Sequence, residues 1–244
     1  MDAFTIEIAE YPVRVQPLFA STSEYCRKYW TEREPVFFVE VTEEDLQHSQ
    51  QLLEEEAIEE GIKVRKFPQP FLERYTIQRK VARELLDHNV LLLHGSTVGV
   101  DGQAYLFTAP CRTGKSTHTR FWRETFGDRA VMVNDDKPFL KISSEGVFAY
   151  GSPWSGKHGL DTNICMPLKG ICLLRRGRHN VIEAASSADC IGELLHQSFP
   201  GTDPAGKQKV SSLVEQLVQS VPLWQMECTK DPAAALVSYE AMSK

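Results

Sequence analysis

One stretch, residues 103–136, constrains what this chain can fold into more than any other. It begins with a β-rich apolar run, Ala104 to Thr108. The run turns through Ala109, Pro110, Cys111, Arg112 and Thr113. It then delivers Gly114, Lys115, Ser116 and Thr117 into a helical segment that reaches Phe126. A second apolar run, Ala130 to Val133, ends in Asn134, Asp135 and Asp136. A strand feeding a turn, and a helix opening on Gly-Lys-Ser, is how a phosphate-binding loop is built. The first amides of the helix face an anion, the lysine adds a charge, and the serine hydroxyl suits Mg²⁺. Two carboxylates at a strand end suit a metal and a general base. Neighbours on an extended chain point opposite ways, so the two acids divide those tasks. The bland alternative is a surface turn with an exposed lysine and a solvated acidic pair. The strand before the turn and the helix after it count against that.

The loop departs from the usual pattern at two places. Ala109 stands where glycine is common, and Arg112 where a small residue is common, while Gly114 to Thr117 match. Cys111 lies inside the loop, where a helix N-terminus and Lys115 favour a thiolate; as a plain loop residue it needs no such role.

The rest of the chain has to accommodate this unit. Its 244 residues suffice for one large domain, or one domain with a small extension. Apolar residues at 42% and charged residues at 25% build a core without disulfides or a structural metal. The six cysteines show no Cys-x-x-Cys pair and no zinc spacing, which fits free thiols in a reducing compartment. No apolar run approaches the roughly 18 residues of a membrane span, and the first residues lack a signal-peptide pattern. The expectation is a cytoplasmic protein with no membrane partner. Of the formal charge of −6, residues 40–60 contribute nine acids and no Lys or Arg. The bulk acidity therefore says little about the charge at the phosphate loop. The acidic block reads as a solvated helix face, or as a docking surface for a basic partner. No basic stripe with aromatics suggests nucleic acid.

Hydropathy periods order the remaining elements. Residues 4–41 read as β structure, residues 43–60 as an acidic helix, and 71–88 as an amphipathic helix with Ile77, Val81 and Leu85 on one face. A strand is predicted over Val90–Val98, a hairpin over Phe139–Ile142 and Val147–Tyr150, and a polar loop over 151–159. Strands at Ile171–Leu174 and Val181–Ala184 are followed by helices over 187–199 and 208–220 and by a strand at Leu223–Cys228. Asp231-Pro232 opens a terminal helix. The division expected is a β-rich N-terminal region with the acidic helix, residues 1–66, and a core of residues 67–244.

Three further groups are candidates for the site. His94-Gly95 lies in the strand before the loop strand. Gly156-Lys157-His158 offers cations on a loop. Trp154 either stacks on a base or packs beneath that loop.

In this order the pieces resemble the HPr kinase and phosphoenolpyruvate carboxykinase superfamily. The resemblance rests on Leu93-His94-Gly95, the turn Val100-Asp101-Gly102, the loop Ala109 to Ser116 and Val133-Asn134-Asp135-Asp136. It covers residues 90–142, and less specifically 151–157 and 173–177. It implies an α/β fold, a phosphoenolpyruvate carboxykinase-like P-loop core with a mixed sheet. It implies a kinase moving the γ-phosphate of ATP or GTP, with Mg²⁺, to a serine hydroxyl of a peptide or small protein. Carried over by position, Lys115 and the loop 109–117 hold the phosphates. Ser116 and Asp136 ligate Mg²⁺, Asp135 accepts the serine proton, and His94 steadies the reacting groups. A nucleotide-binding regulatory module and a simple nucleotide hydrolase remain alternatives, and homo-oligomerisation is left open.

Overall fold

The computed structural model describes residues 2–59 and 61–244. The chain divides into two compact units, Met1–Glu84 and Leu85–Lys244.

In the first unit, β1 (Phe4–Ile8) and β2 (Tyr11–Gln16) form an antiparallel hairpin, and β3 (Phe37–Glu40) adds parallel to β2. Ala9 and Glu10 both take positive φ, 50° and 74°, as a tight two-residue hairpin turn requires. Ile6, Ile8, Val13 and Val15 are fully buried, the alternation that the sequence shows. Residues 20–25 are not β, however, but a short helix, α1 (Ala20–Tyr25). Its N-terminal residue, Phe19, offers no capping side chain. Glu73 supplies the cap from afar: Leu18 N–H, Phe19 N–H and the Thr22 hydroxyl all donate to its carboxylate.

The acidic helix is α2 (Glu43–Glu59); Glu60, the last residue of the predicted span, lies outside the described residues. The amphipathic helix is α3 (Gln69–Leu85), followed by a 3-10 turn, Leu86–His88. Ile77, Val81 and Leu85 are buried as predicted. The opposite face is not simply wet. Thr76 bonds Ser49 at 2.7 Å, and Lys80 bonds Asp45 and the Glu40 carbonyl at 2.8 Å each. These bonds, with Glu73, tie α3 to the rest of the first unit, which ends at Glu84.

The second unit holds a mixed sheet of nine strands. They are β4 (Val90–Leu92), β5 (Ser96–Val100), β6 (Gln103–Thr108), β7 (Ala130–Asn134), β8 (Phe139–Ser143), β9 (Gly146–Tyr150), β10 (Cys165–Arg176), β11 (Val181–Ala184) and β12 (Leu223–Cys228). Neighbours run β4-β8-β9-β10-β6-β5-β7, with β12 lying between β10 and β11. β10 extends well beyond the predicted Ile171–Leu174. Its first residues pair antiparallel with β9, and its later ones pair parallel with β6 and β12. The register against β6 slips between Leu168 and Gly170, where one extra residue enters β10.

The predicted strand Val90–Val98 is broken in two. The amides of Leu93, His94 and Gly95 go to Pro138, Gln197 and Asp136 carbonyls, at 3.2, 2.8 and 3.0 Å, so no single ladder continues through them. His94 therefore sits in a crossover and not in a strand. Gly95 fits there because a Cβ would lie 3.2 Å from both the Phe107 carbonyl and Leu106 Cδ2.

Helices α4 (Lys115–Phe126), α5 (Ser187–Gln197), α6 (Pro204–Ser220) and α7 (Ala233–Met242) complete the unit. α6 starts earlier than predicted. Asp203 caps it by accepting from Gly206 N–H at 2.7 Å, with Pro204 in the first turn. Asp231 does the same for α7, accepting from Ala233 N–H at 2.9 Å. Between α4 and α7, Ser238 Oγ meets His118 Nε2 at 3.0 Å and Trp122 Nε1 at 2.9 Å. The cluster around them includes Phe107, Phe121, Ala234, Ala235 and Met242.

Strand direction places the site. β5 is antiparallel to both β6 and β7, so those two run the same way. β10 is parallel to β6. The ends of β6, β7 and β10 and the start of β5 therefore meet at one edge of the sheet.

Candidate functional site

The loop after β6 is held from several sides. Thr108 Oγ1 donates to the His94 carbonyl at 2.9 Å, tying the strand end to the crossover. Within the loop Arg112 takes φ 63° and Gly114 φ 129°. Lys115 opens α4 with only 8% of its surface exposed, and its Nζ donates back to the Ala109 carbonyl at 2.8 Å. The ammonium thus closes the loop on itself. Gly114 at the N-cap brings no side chain to the first N–H groups of α4, an arrangement that an anion completes. From β10, Arg176 reaches the loop and donates to the carbonyls of Arg112 and Thr113. Pro110, Cys111, Arg112 and Ser116 are exposed, and Thr113 and Thr117 half-buried.

The acids lie at the end of β7. Asn134 is fully buried, and its side chain shapes the turn that follows. Its Oδ1 accepts from the N–H of Asp136 at 2.8 Å and of Lys137 at 2.6 Å, and its Nδ2 donates to the Ser152 carbonyl at 2.9 Å. Asp135 N–H bonds the Leu160 carbonyl at 3.1 Å. The two carboxylates then take different partners. Asp135, 6% exposed, accepts from Ser96 Oγ at 2.6 Å, and Ser116 is near enough to lower its pKa. Ser96 is itself 2.8 Å from Thr119 Oγ1 on α4. Burial raises the Asp135 pKa, and Ser96 and Ser116 only partly offset it, with Asp136 adding repulsion.

Asp136 lies 3.3 Å from His94 Nε2. Burial pushes its carboxyl up, but the His94 hydrogen bond and the charges of Lys137 and Lys115 outweigh burial and leave the pKa low. For His94, burial and the Lys137 charge lower the pKa against the pull of Asp136. The imidazole is then neutral at neutral pH. With Nε2–H directed at Asp136, its Nδ1 is left as an acceptor. The 3-10 turn Gly156–His158 lies beside this pair: a Cβ on Gly156 would lie 3.2 Å from Asp136 Cβ.

The structure thus brings together His94, Lys115, Ser116, Asp135 and Asp136, and sets the Gly156–His158 turn beside them. Trp154 is buried against Phe139, with ring centroids 6.1 Å apart, so it packs beneath its loop. The motif puts Asp136 with Ser116 on the metal side; in the fold the carboxylate beside Ser116 is that of Asp135. Sequence reasoning overlooked Ser96, Thr119 and Arg176 as site residues. Asn134 did carry a signal, since an Asn at a strand end commonly folds the next two amides onto its own side chain.

The donors suit Mg²⁺. A hydroxyl and a carboxylate side by side are hard oxygen ligands. Among the described residues no group of three or more His, Cys, Asp or Glu forms a metal cage.

Among the described residues no helix is long and apolar enough to cross a membrane. No protein-family model and no curated protein matches the chain. Among solved structures, the HPr(Ser) kinase/phosphatase from Coxiella burnetii is similar over 62% of this chain and 95% of its own, with 11% identity and a TM-score of 0.38. At that score the likeness is too loose to support a fold family or an activity.

Proposed function

We propose that this chain is a cytoplasmic, Mg²⁺-dependent kinase with a phosphoenolpyruvate carboxykinase-like core. It moves the γ-phosphate of ATP or GTP to a hydroxyl, that of a serine in a peptide or small protein. The observation that carries this reading is the meeting of the loop with both acids at one sheet edge. Ser116 lies near Asp135, and His94 on Asp136. A regulatory nucleotide binder needs the loop but has no use for a low-pKa carboxylate held by a neutral histidine.

In this reading Lys115 and the backbone N–H groups of the loop after Pro110 and of the start of α4 bind the phosphates. Ser116 and one carboxylate hold Mg²⁺, which when bound neutralises charge on the phosphate oxygens. The nearness of Ser116 to Asp135 favours Asp135 for that place, the reverse of the division that the resemblance implies. Asp136, ionised at neutral pH, then receives the proton of the acceptor hydroxyl, and His94 fixes the orientation of its carboxylate. The Gly156–His158 turn lies beside the same pair.

The test is transfer of labelled γ-phosphate from ATP and GTP to serine peptides and to proteins of a cell extract. Asp136→Asn should cut transfer about a hundredfold or more, with nucleotide affinity within about twofold. Asp135→Asn should instead weaken Mg²⁺-dependent nucleotide binding. The opposite pattern restores the assignment of the motif. Binding without transfer leaves the regulatory module, and phosphate release without an acceptor leaves the hydrolase.

A further inference from the structure

The phosphate loop contains a conformation that its own sequence does not favour. Arg112 sits in the left-handed region at φ 63°, which L side chains rarely adopt. Loops of this kind usually place glycines at such points; here Ala109, Pro110, Cys111, Arg112 and Thr113 precede the first glycine. A contact from outside the loop has to hold the turn. Arg176 provides it: Nη2 donates to the Arg112 carbonyl, and Nε to the Thr113 carbonyl at 3.5 Å.

We propose that Arg176 is a positioning residue for phosphate binding, acting on the backbone of the loop and not on the phosphate. This rests on the nucleotide reading above. A planar peptide points its C=O and N–H in opposite directions. Holding the Arg112 and Thr113 carbonyls toward Arg176 therefore turns the N–H groups of Thr113 and Gly114 to the other side of the loop. Thr113 N–H meets the Pro110 carbonyl at 3.3 Å, which tightens the turn. The guanidinium is suited to this work because its donors diverge in one rigid plane and reach two successive carbonyls, as a point-like ammonium does less well. Arg176 is also placed by architecture: it ends β10, the parallel neighbour of β6, whose own end starts the loop.

The test uses Arg176→Ala, Arg112→Gly and the double variant in the full chain. One arm needs no nucleotide. Cys111 is an exposed thiol inside the loop, and its alkylation rate, read at peptide level by mass spectrometry, reports loop order. Arg176→Ala should raise that rate several-fold with the unfolding temperature unchanged, since Arg176 is exposed. The second arm reads Mg·ATP. Arg176→Ala should raise the KM or Kd for Mg·ATP about tenfold while kcat stays within about twofold.

The decisive comparison is the penalty of Arg176→Ala in the Arg112→Gly background. Glycine takes positive φ without help, so that penalty should shrink. Relief of repulsion between two arginines predicts the opposite change. An unaltered alkylation rate overturns the proposal. So does an equal penalty in both backgrounds, which would put Arg176 on the phosphate itself. If Mg·ATP does not bind wild type yet Cys111 responds as expected, the nucleotide reading fails while the clamp on the loop stands.

Discussion

Asp135 is held where its charge is least welcome. Burial raises its pKa above the ordinary value near 3.8, and Asp136 adds to the effect. A raised carboxyl pKa favours the folded state while the acid is protonated. That advantage is lost as pH rises through the raised value. Asp135→Asn removes the effect and keeps an acceptor for Ser96. The variant should gain stability relative to wild type between pH 4 and pH 7.5, measured by urea unfolding at both pH values. Equal stability at both would show that the site tolerates the charge. Such a trade of stability for chemistry is what a functional carboxylate predicts. At this scale the acids and Lys115 were legible because they are local to a strand end and a helix start. Ser96 and Arg176 were not. They lie 39 and 64 residues from the groups they bond, Asp135 and the Arg112 carbonyl, and only strand pairing brings them there.

α4 and α7 are locked by a polar contact inside an apolar interface. His118 is 2% exposed, and burial lowers its pKa to about 4. The folded state keeps the imidazole neutral, while the unfolded chain protonates it near 6.5. Stability from this group is complete above 6.5 and is lost as pH falls from there toward 4, by up to roughly 3 kcal/mol. His118→Gln, which cannot titrate, should lose stability at pH 7.5 but show a flatter decline between pH 6.5 and 4.5. Denaturant midpoints across that range test it; parallel declines would remove His118 as the cause. Helices with an internal apolar period, such as α3 and α6, were readable from sequence, and α4 from the Gly-Lys-Ser turn that opens it. α1 was not, because its cap, Glu73, is 51 residues from Thr22. The break between β4 and β5 was hidden too. The apolar run continues across it, and only the divergent partners of Leu93, His94 and Gly95 interrupt the ladder.

Across the whole chain the charge is divided by unit. Counted over the sequence, residues 1–84 carry all of the net −6, and residues 85–244 are neutral. The groups assigned to the nucleotide all belong to the neutral unit. Mg·ATP should therefore slow amide hydrogen exchange in residues 109–119, 134–137 and 156–160, with no change in residues 2–59. Protection extending to the first unit would mean that the unit completes the site. β10 carries a consequence of its own. Its extra residue near Lys169 sets which side chains of the later strand face which way, because alternation has a period of two. Arg176 meets the loop only with that parity. The strand can thus change many of its letters and still work, but not its length beyond the bulge: losing one residue between Ile171 and Arg175 would bring Gly177 to the place of Arg176 and leave the loop unheld.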